Sequence, residues 1–215
     1  MAEPGHRWSR AQVFLASRNP GKLVEMQRIL DQHLPGIRVL GLDDVAAYDE
    51  PVEDRATFEG NALLKARAGL RETGLPSLAD DSGLCVDALN GMPGVLSARW
   101  SGRPRDDDRN NTLLLQQLGD VPDERRGAEF RCSVAFCHAG GEFSVDGVMR
   151  GRVIRELRGT GGFGYDVLFV PDDNPGGPGD RRTSAELTAE EKDAISHRGR
   201  ALRSIAPRVA ALLGG

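Results

Sequence analysis

Only three of the 28 basic residues in this chain are lysines, and each lies among other chemically suggestive residues: Asn19-Pro20-Gly21-Lys22, Asn61-Ala62-Leu63-Leu64-Lys65 and Glu191-Lys192. A compact ammonium is hard to replace by a planar guanidinium where a loop closes on an anion. A chain that otherwise prefers arginine therefore keeps lysine where a point charge matters. Ser17-Arg18-Asn19-Pro20-Gly21-Lys22 follows a short apolar run and precedes a helical pattern. Free backbone N–H groups at a helix N-terminus, close approach over Gly21 and the charge of Lys22 together suit an anion; an ordinary strand-to-helix connection is the other reading. The spacing is not that of a Walker loop.

Asp80-Asp81-Ser82-Gly83 places two like charges side by side. Their repulsion requires a cation or a proton. Mg2+, bound by one or two carboxylates together with phosphate oxygens, would supply the charge; a solvated acidic turn is the other reading. In an extended segment successive side chains point to opposite faces, so only one of the two need face a site. Asp49, Glu50, Glu53 and Asp54 could add a second carboxylate or form an ordinary acidic loop. Gly159-Thr160-Gly161-Gly162-Phe163-Gly164-Tyr165-Asp166 is permissive enough to wrap a flat ligand, with Phe163 or Tyr165 stacking on it and Asp166 bonding its edge; plain bulge-and-turn structure is the competing reading. Lys192, His197 and Arg198 gather donors at a helix junction, where basic residues also serve the helix dipole. No role is assigned to His6, His33 or His138.

The elements that position these groups follow from periodicity. Val13 to Ser17 reads as a strand and the spacing of Leu23, Met26, Ile29 and Leu30 as a helix; Ile37 to Leu42 reads as a second strand. Thr57 caps a second helix marked by Phe58, Ala62, Ala66 and Leu70, on which Thr57, Asn61 and Lys65 form one polar stripe. Leu78 to Val86 reads as two extended pieces broken at Asp80-Asp81-Ser82-Gly83, and about 107–118 as a third helix. Ala128 to Val153 alternates as a long hairpin turning at Gly140-Gly141. Val167 to Val170 is expected as a strand, Asp172 to Arg182 as a flexible loop, and the C-terminal region as helix. That last helix has a capping box at Thr188 and Glu191 and an apolar face of Leu202, Ile205, Val209 and Leu212.

The bulk composition narrows the function classes. A formal charge of −4 gives no overall field for nucleic acid or an anionic membrane, and no apolar run approaches a membrane span. Cys85, Cys132 and Cys137 are odd in number and lack C-x-x-C spacing. Reduced, buried thiols in a cytoplasmic protein are the simplest reading. Residues 1–10 are expected to be a disordered tail, and 11–215 one domain.

Taken together, Ser17 to Lys22, Thr57-Phe58-Glu59-Gly60-Asn61-Ala62 with Lys65, Asp80 to Gly83, Gly91 to Arg99, Gly161 to Asp166 and Ser196-His197-Arg198-Gly199 resemble the inosine triphosphate pyrophosphatase family, also called Ham1-like. The resemblance implies an α/β fold, with a long mixed twisted sheet flanked by helices and a cleft between two lobes. It implies Mg2+-dependent hydrolysis of dITP, ITP and XTP to the monophosphate and pyrophosphate, in a homodimer. Ser17, Arg18, Asn19, Pro20, Gly21, Lys22 and Lys65 would then hold the triphosphate, and Asp81 would be proton acceptor and metal contact. Ser82, Phe163, Gly164, Tyr165, Asp166, Lys192, His197 and Arg198 would bind the substrate. Two departures stand out: Gly60 where the family often has an acid, and Arg55 where it has glycine. The second makes the other metal ligand a choice between Glu53 and Glu50, with Glu53 preferred. A Maf-like pyrophosphatase acting on modified pyrimidine nucleotides and a non-enzymatic nucleotide-binding protein are the alternatives.

Overall fold

The computed structural model describes residues 11–214; the expected N-terminal tail lies outside them. Six strands form one mixed sheet in the order β2-β1-β3-β4-β5-β6, where β1 is Gln12–Leu15, β2 Arg38–Leu40, β3 Ser77–Val86, β4 Gly127–His138, β5 Gly141–Val153 and β6 Phe169–Pro171. β1 runs parallel to β2 and β3, and the remaining pairs are antiparallel. The helices are α1 (Pro20–His33), α2 (Phe58–Thr73), α3 (Asp107–Gln117), α4 (Ala189–Ile195) and α5 (His197–Leu213).

Three apolar clusters place these layers. α1 and α5 cover one face through Met26, Ile29, Leu30, Leu202, Ile205 and Val209 against Leu78, Val134 and Phe136. α2 covers the other face with Ala62 and Ala66 against Phe14, Ala79 and Ala135. The far ends of β3 to β5 carry a separate cluster in which Leu114 of α3 and Leu118, which caps that helix, meet Leu84, Phe130, Tyr165 and Phe169. The long strands thus pass from one lobe to the other. β1, pairing with β3 only at Phe14 and Leu15, ends near the crossing. Beyond that point β3 has no strand on its β1 side until an isolated bridge at Cys85, so a cleft opens along its free edge at the carboxyl end of β1.

The expected break at Asp80 to Gly83 is absent, and β3 is continuous. Asp80, Asp81, Ser82 and Gly83 pair in register with Val134, Ser133, Cys132 and Arg131, and the ladder keeps the polar residues extended. The hairpin turn falls at Ala139-Gly140, because His138 pairs with Gly141. The expected strand at Val167 to Val170 starts only at Phe169. Gly164–Leu168 is a 3-10 turn, held by the Tyr165 hydroxyl donating to Ser97 O (2.9 Å) and by Phe163 N–H donating to Asp166 Oδ2 (2.9 Å). The Asp172 to Arg182 loop is folded about buried Asn174, whose Nδ2 donates to Asp180 O and Arg182 O. Leu212 is 45% exposed, and the apolar face of α5 continues through Ala206 and Ala210 instead.

α5 lies directly on β5 at Gly147, where a Cβ would meet His197 O at 2.0 Å and Ala201 N at 2.7 Å. Gly147→Ala should therefore lift the N-terminus of α5 and cost about 1–3 kcal/mol by overpacking, read as a lower urea midpoint. A wild-type midpoint would show that the contact yields freely.

Candidate active site

β3 delivers Asp80 and Asp81 to the cleft, and its pleat separates their environments. Asp80 shares a face with Leu78, under α1 and α5. It is 4% exposed and accepts two bonds from Lys22 Nζ (2.8 and 2.7 Å) and one from Arg198 Nε (3.2 Å). Burial alone would raise its pKa, but Lys22, Arg198 and Lys65 outweigh burial and hold it far below the usual carboxylate range. Asp80 is thus no spare acid on a turned-away face; it holds a cation from each of two helices. Asp81 shares a face with Ala79, under α2. Its Oδ2 accepts from Asn61 Nδ2 (2.9 Å), its Oδ1 accepts from Ser82 N–H (3.0 Å), and Lys65 Nζ lies 3.9 Å from Oδ1. Burial raises the pKa of Asp81, while Lys65 and Asn61 pull against it, leaving a carboxylate more basic than a free aspartate.

The polar stripe of α2 organises this face. Thr57 caps the helix by accepting from Gly60 N–H; Asn61 bridges Arg55 N–H (3.0 Å) and Asp81; Lys65 binds Glu53 Oε1 at 2.6 Å. Burial disfavours the Lys65 ammonium, yet Asp81, Asp80 and Glu53 outweigh it and keep Lys65 charged. Glu53 and Asp81 therefore converge on one ammonium, whereas Glu50 pairs with Arg18. Asp81 and Glu53, both lining the cleft, are the carboxylates that would offer oxygens to a hard cation, which keeps waters for the rest of its shell. Among the described residues no three His, Cys, Asp or Glu converge as a closed metal cage.

The Ser17 to Lys22 segment joins β1 to α1 as expected, but its N–H groups are not free: Asn19 N–H donates to Ser17 Oγ, Gly21 N–H to Asn19 Oδ1, and the N–H groups of Lys22 and Leu23 to Asn19 O, so the charge this turn offers an anion is that of Lys22. Asn19 caps α1 by accepting from Gly21 N–H and Pro20 opens the helix; exposed Arg18, Asn19 and Gly21 line the cleft with half-buried Ser17 and Lys22, whereas Pro20 does not.

At the other end Asp166, 4% exposed, accepts from Lys192 Nζ at 2.5 Å, and Lys192 lies 5.3 Å from the centre of the Phe163 ring. Phe163 is 54% exposed and free to stack; Tyr165 also lines the cleft but is 4% exposed and bonded to Ser97, so its ring packs in the far-lobe core instead of offering a stacking face. His197 lies parallel to Phe130 with ring centres 5.1 Å apart. Burial, then Arg198 and Lys192, holds its pKa well below the ordinary histidine value, so its imidazole is neutral. Arg198 Nη2 reaches Ser82 Oγ at 3.3 Å, which ties the base of α5 to β3. One cleft of about 710 Å3 joins Lys22, Lys65 and Asp81 to Phe163, Lys192 and His197. Sequence reasoning missed Asn61 and Asp80 as site residues, although Asn61 stood on the Thr57 to Lys65 stripe. It also missed Glu25, a cleft-lining carboxylate whose pKa burial raises.

Arg55 and Gly60 prove to be a matched pair. A Cβ on Gly60 would stand 2.9 Å from Arg55 Cβ and 3.1 Å from the capping Thr57 Oγ1, so Arg55 occupies space that an acid at position 60 would claim.

The protein is thus an α/β fold with a mixed sheet and a two-ended cleft, cationic and carboxylate-bearing at one end and aromatic at the other. The model of the Ham1 family matches residues 13–208, and the chain belongs to that family. The chain is 59% identical to the dITP/XTP pyrophosphatase of Nocardia farcinica, over 94% of this chain and 96% of that protein. It is 55% identical to the protein of the same description from Corynebacterium efficiens, over 94% and 99% respectively. Among solved structures it resembles a HAM1 protein from Coxiella burnetii, with TM-score 0.83 and 38% identity over 93% of this chain and 98% of that one. It also resembles the Mycobacterium abscessus nucleoside-triphosphatase / dITP/XTP pyrophosphatase, with TM-score 0.75 and 54% identity over 91% and 99%.

Two outcomes follow from this geometry. Asp80→Asn leaves two half-buried cations without their shared carboxylate and should cost about 3–5 kcal/mol in urea unfolding. Because the folded pKa of Asp80 is depressed, its contribution is present above the unfolded carboxylate pKa and is lost as pH falls below it. The variant should therefore show a flatter acid limb of stability; a loss under about 1 kcal/mol would contradict the ion-pair role. Gly60→Glu alone should destabilise by about 1–3 kcal/mol through its clash with Arg55, and adding Arg55→Gly should restore most of that in a melting experiment.

Proposed function

We propose that this protein hydrolyses dITP, ITP and XTP to the nucleoside monophosphate and pyrophosphate, with Mg2+, and so clears deaminated purines from the nucleotide pool. The observation that carries this reading is the single cleft in which a lysine-and-carboxylate end adjoins an aromatic-and-donor end. The names of the related proteins favour it over a pyrimidine-directed enzyme or a non-enzymatic binder.

At the phosphate end, Lys22 and Lys65 offset the charge of the triphosphate oxygens. Asp80 holds Lys22 in place, and Asn61 holds Asp81. A water attacks the α-phosphorus in line, its proton passes to Asp81, and the bond to the bridging oxygen breaks so that pyrophosphate leaves with the electron pair. Mg2+, held by Asp81 and Glu53, would neutralise phosphoryl charge when bound.

At the other end Phe163 stacks on the purine. Lys192, neutral His197 and the remaining nitrogen of Arg198 present donors to the six-position oxygen of hypoxanthine or xanthine. Adenine offers a donor amine there and leaves these groups unpaired, which is the stronger form of rejection. The same proposal includes a homodimer in a reducing cytoplasm. Three free cysteines are consistent with that compartment, and no helix among the described residues is long and apolar enough to cross a membrane.

A panel of nucleoside triphosphates with Mg2+, scored for pyrophosphate against orthophosphate, tests the reading. Release from dITP and XTP is expected; turnover confined to thymidine or uridine triphosphates would favour the pyrimidine enzyme, and tight binding without turnover the binder. Asp81→Asn should retain nucleotide affinity while kcat falls about 10²–10⁴-fold, since an amide takes no proton. Near-normal kcat in a folded Asp81→Asn protein would sink the assignment.

A further inference from the structure

Phe163 is an exposed aromatic on a glycine-rich segment, where backbone freedom is greatest and a stacking surface should be least well placed. Its own N–H is fixed by Asp166, which also binds Lys192. The next residue is gripped from outside the segment. Asp107 Oδ2 accepts from Gly164 N–H at 2.8 Å, and Asn111 Nδ2 donates to Gly164 O at 3.0 Å. Asp107 and Asn111 lie one turn apart on the first half of α3, so a single helix face holds both polar groups of one glycine.

The grip is maintained at a cost. Asn111 is 3% exposed, and its Oδ1 has no partner among the described residues while its Nδ2 is spent on Gly164. A buried amide with one orphaned atom is unfavourable in the free protein unless the remaining bond does something worth keeping. The neighbouring Asn110 is fully occupied with Ser97, Ala98 and Ser101, so α3 is docked to the lobe without Asn111. What Asn111 and Asp107 add is the position of Gly164, and through it the placement of Phe163 over the cleft.

We propose that Asp107 and Asn111 are positioning residues for base recognition: they clamp Gly164 so that the Phe163 ring stands ready to stack on the purine. This rests on the nucleotide reading above but concerns residues that do not touch the phosphates. The clamp sets how well the base is held, and leaves phosphate binding and the hydrolytic step to Lys22, Lys65 and Asp81.

The test is a double-mutant cycle on the full chain with dITP as substrate and inorganic tripolyphosphate as a base-free competitor. Asn111→Ala should raise the KM for dITP about 3- to 10-fold with kcat within about twofold, and leave the inhibition constant of tripolyphosphate unchanged. In a Phe163→Ala background the same substitution should produce no further rise, because its effect passes through the ring. Asp107→Ala should act like Asn111→Ala, and Asp107→Asn, which keeps an acceptor oxygen for Gly164 N–H, should recover more than half of the loss. If Asn111→Ala fails to fold, as judged by circular dichroism, half-buried Asp107 carries the cycle in its place. Additive losses in the double variant, an equal weakening of tripolyphosphate, or an unchanged KM would each overturn the clamp. Absence of dITP turnover in the wild-type protein would instead refute the nucleotide reading itself.

Discussion

Two adjacent carboxylates on an interior strand cannot both be satisfied from one side. The pleat of β3 sends Asp80 toward α1 and α5 and Asp81 toward α2, and each must find its counter-charge there. That requirement accounts for the placement of all three lysine-or-arginine contacts to the pair: Lys22 and Arg198 on one face, Lys65 on the other. The helices are consequently tied to a single strand by charge as well as by their apolar stripes. Asp80 is satisfied within the protein, while Asp81 keeps a looser environment and a raised pKa. One member of the pair builds the site and the other remains available to it.

Where β1 stops matters as much as what β3 carries. Had β1 continued past Leu15, it would have covered the β3 edge at Asp80 and Asp81 and closed the cleft. Its early end turns the chain into the Ser17 to Lys22 loop, so the gap in the sheet and the turn that brings Lys22 to Asp80 arise from one event. The far lobe supplies the aromatic end from the continuation of the same strands, so the length of β3 to β5 fixes the separation between the two halves of the cleft.

Much of this was legible from residue types. The α2 stripe of Thr57, Asn61 and Lys65, the Asn19 cap and the long hairpin all follow from local spacing, and so does the pairing of Asp80 and Asp81 on opposite faces. The readings that failed did so because distant partners overrode local chemistry. Asp80 to Gly83 looks like a turn until β4 pairs with it residue for residue. Tyr165 looks like a ligand-facing aromatic until its hydroxyl meets Ser97, and Leu212 falls on the helical period yet lies past the end of the surface that α5 covers. Asp107 and Asn111 carry no signal at all in sequence, since polar residues one turn apart on a short helix read as a solvated face.

The Arg55 and Gly60 pair constrains the order in which such a chain can change. Starting from glycine at 55 and an acid at 60, placing arginine first drives its Cβ into an occupied helix turn, whereas placing glycine at 60 first costs only the helix preference of one residue, about 0.5–1 kcal/mol. The second substitution then fills the space that the first vacated. Of the two routes between these states the one that opens position 60 first meets no clash, so the close approach of the two residues favours one order of change over the other.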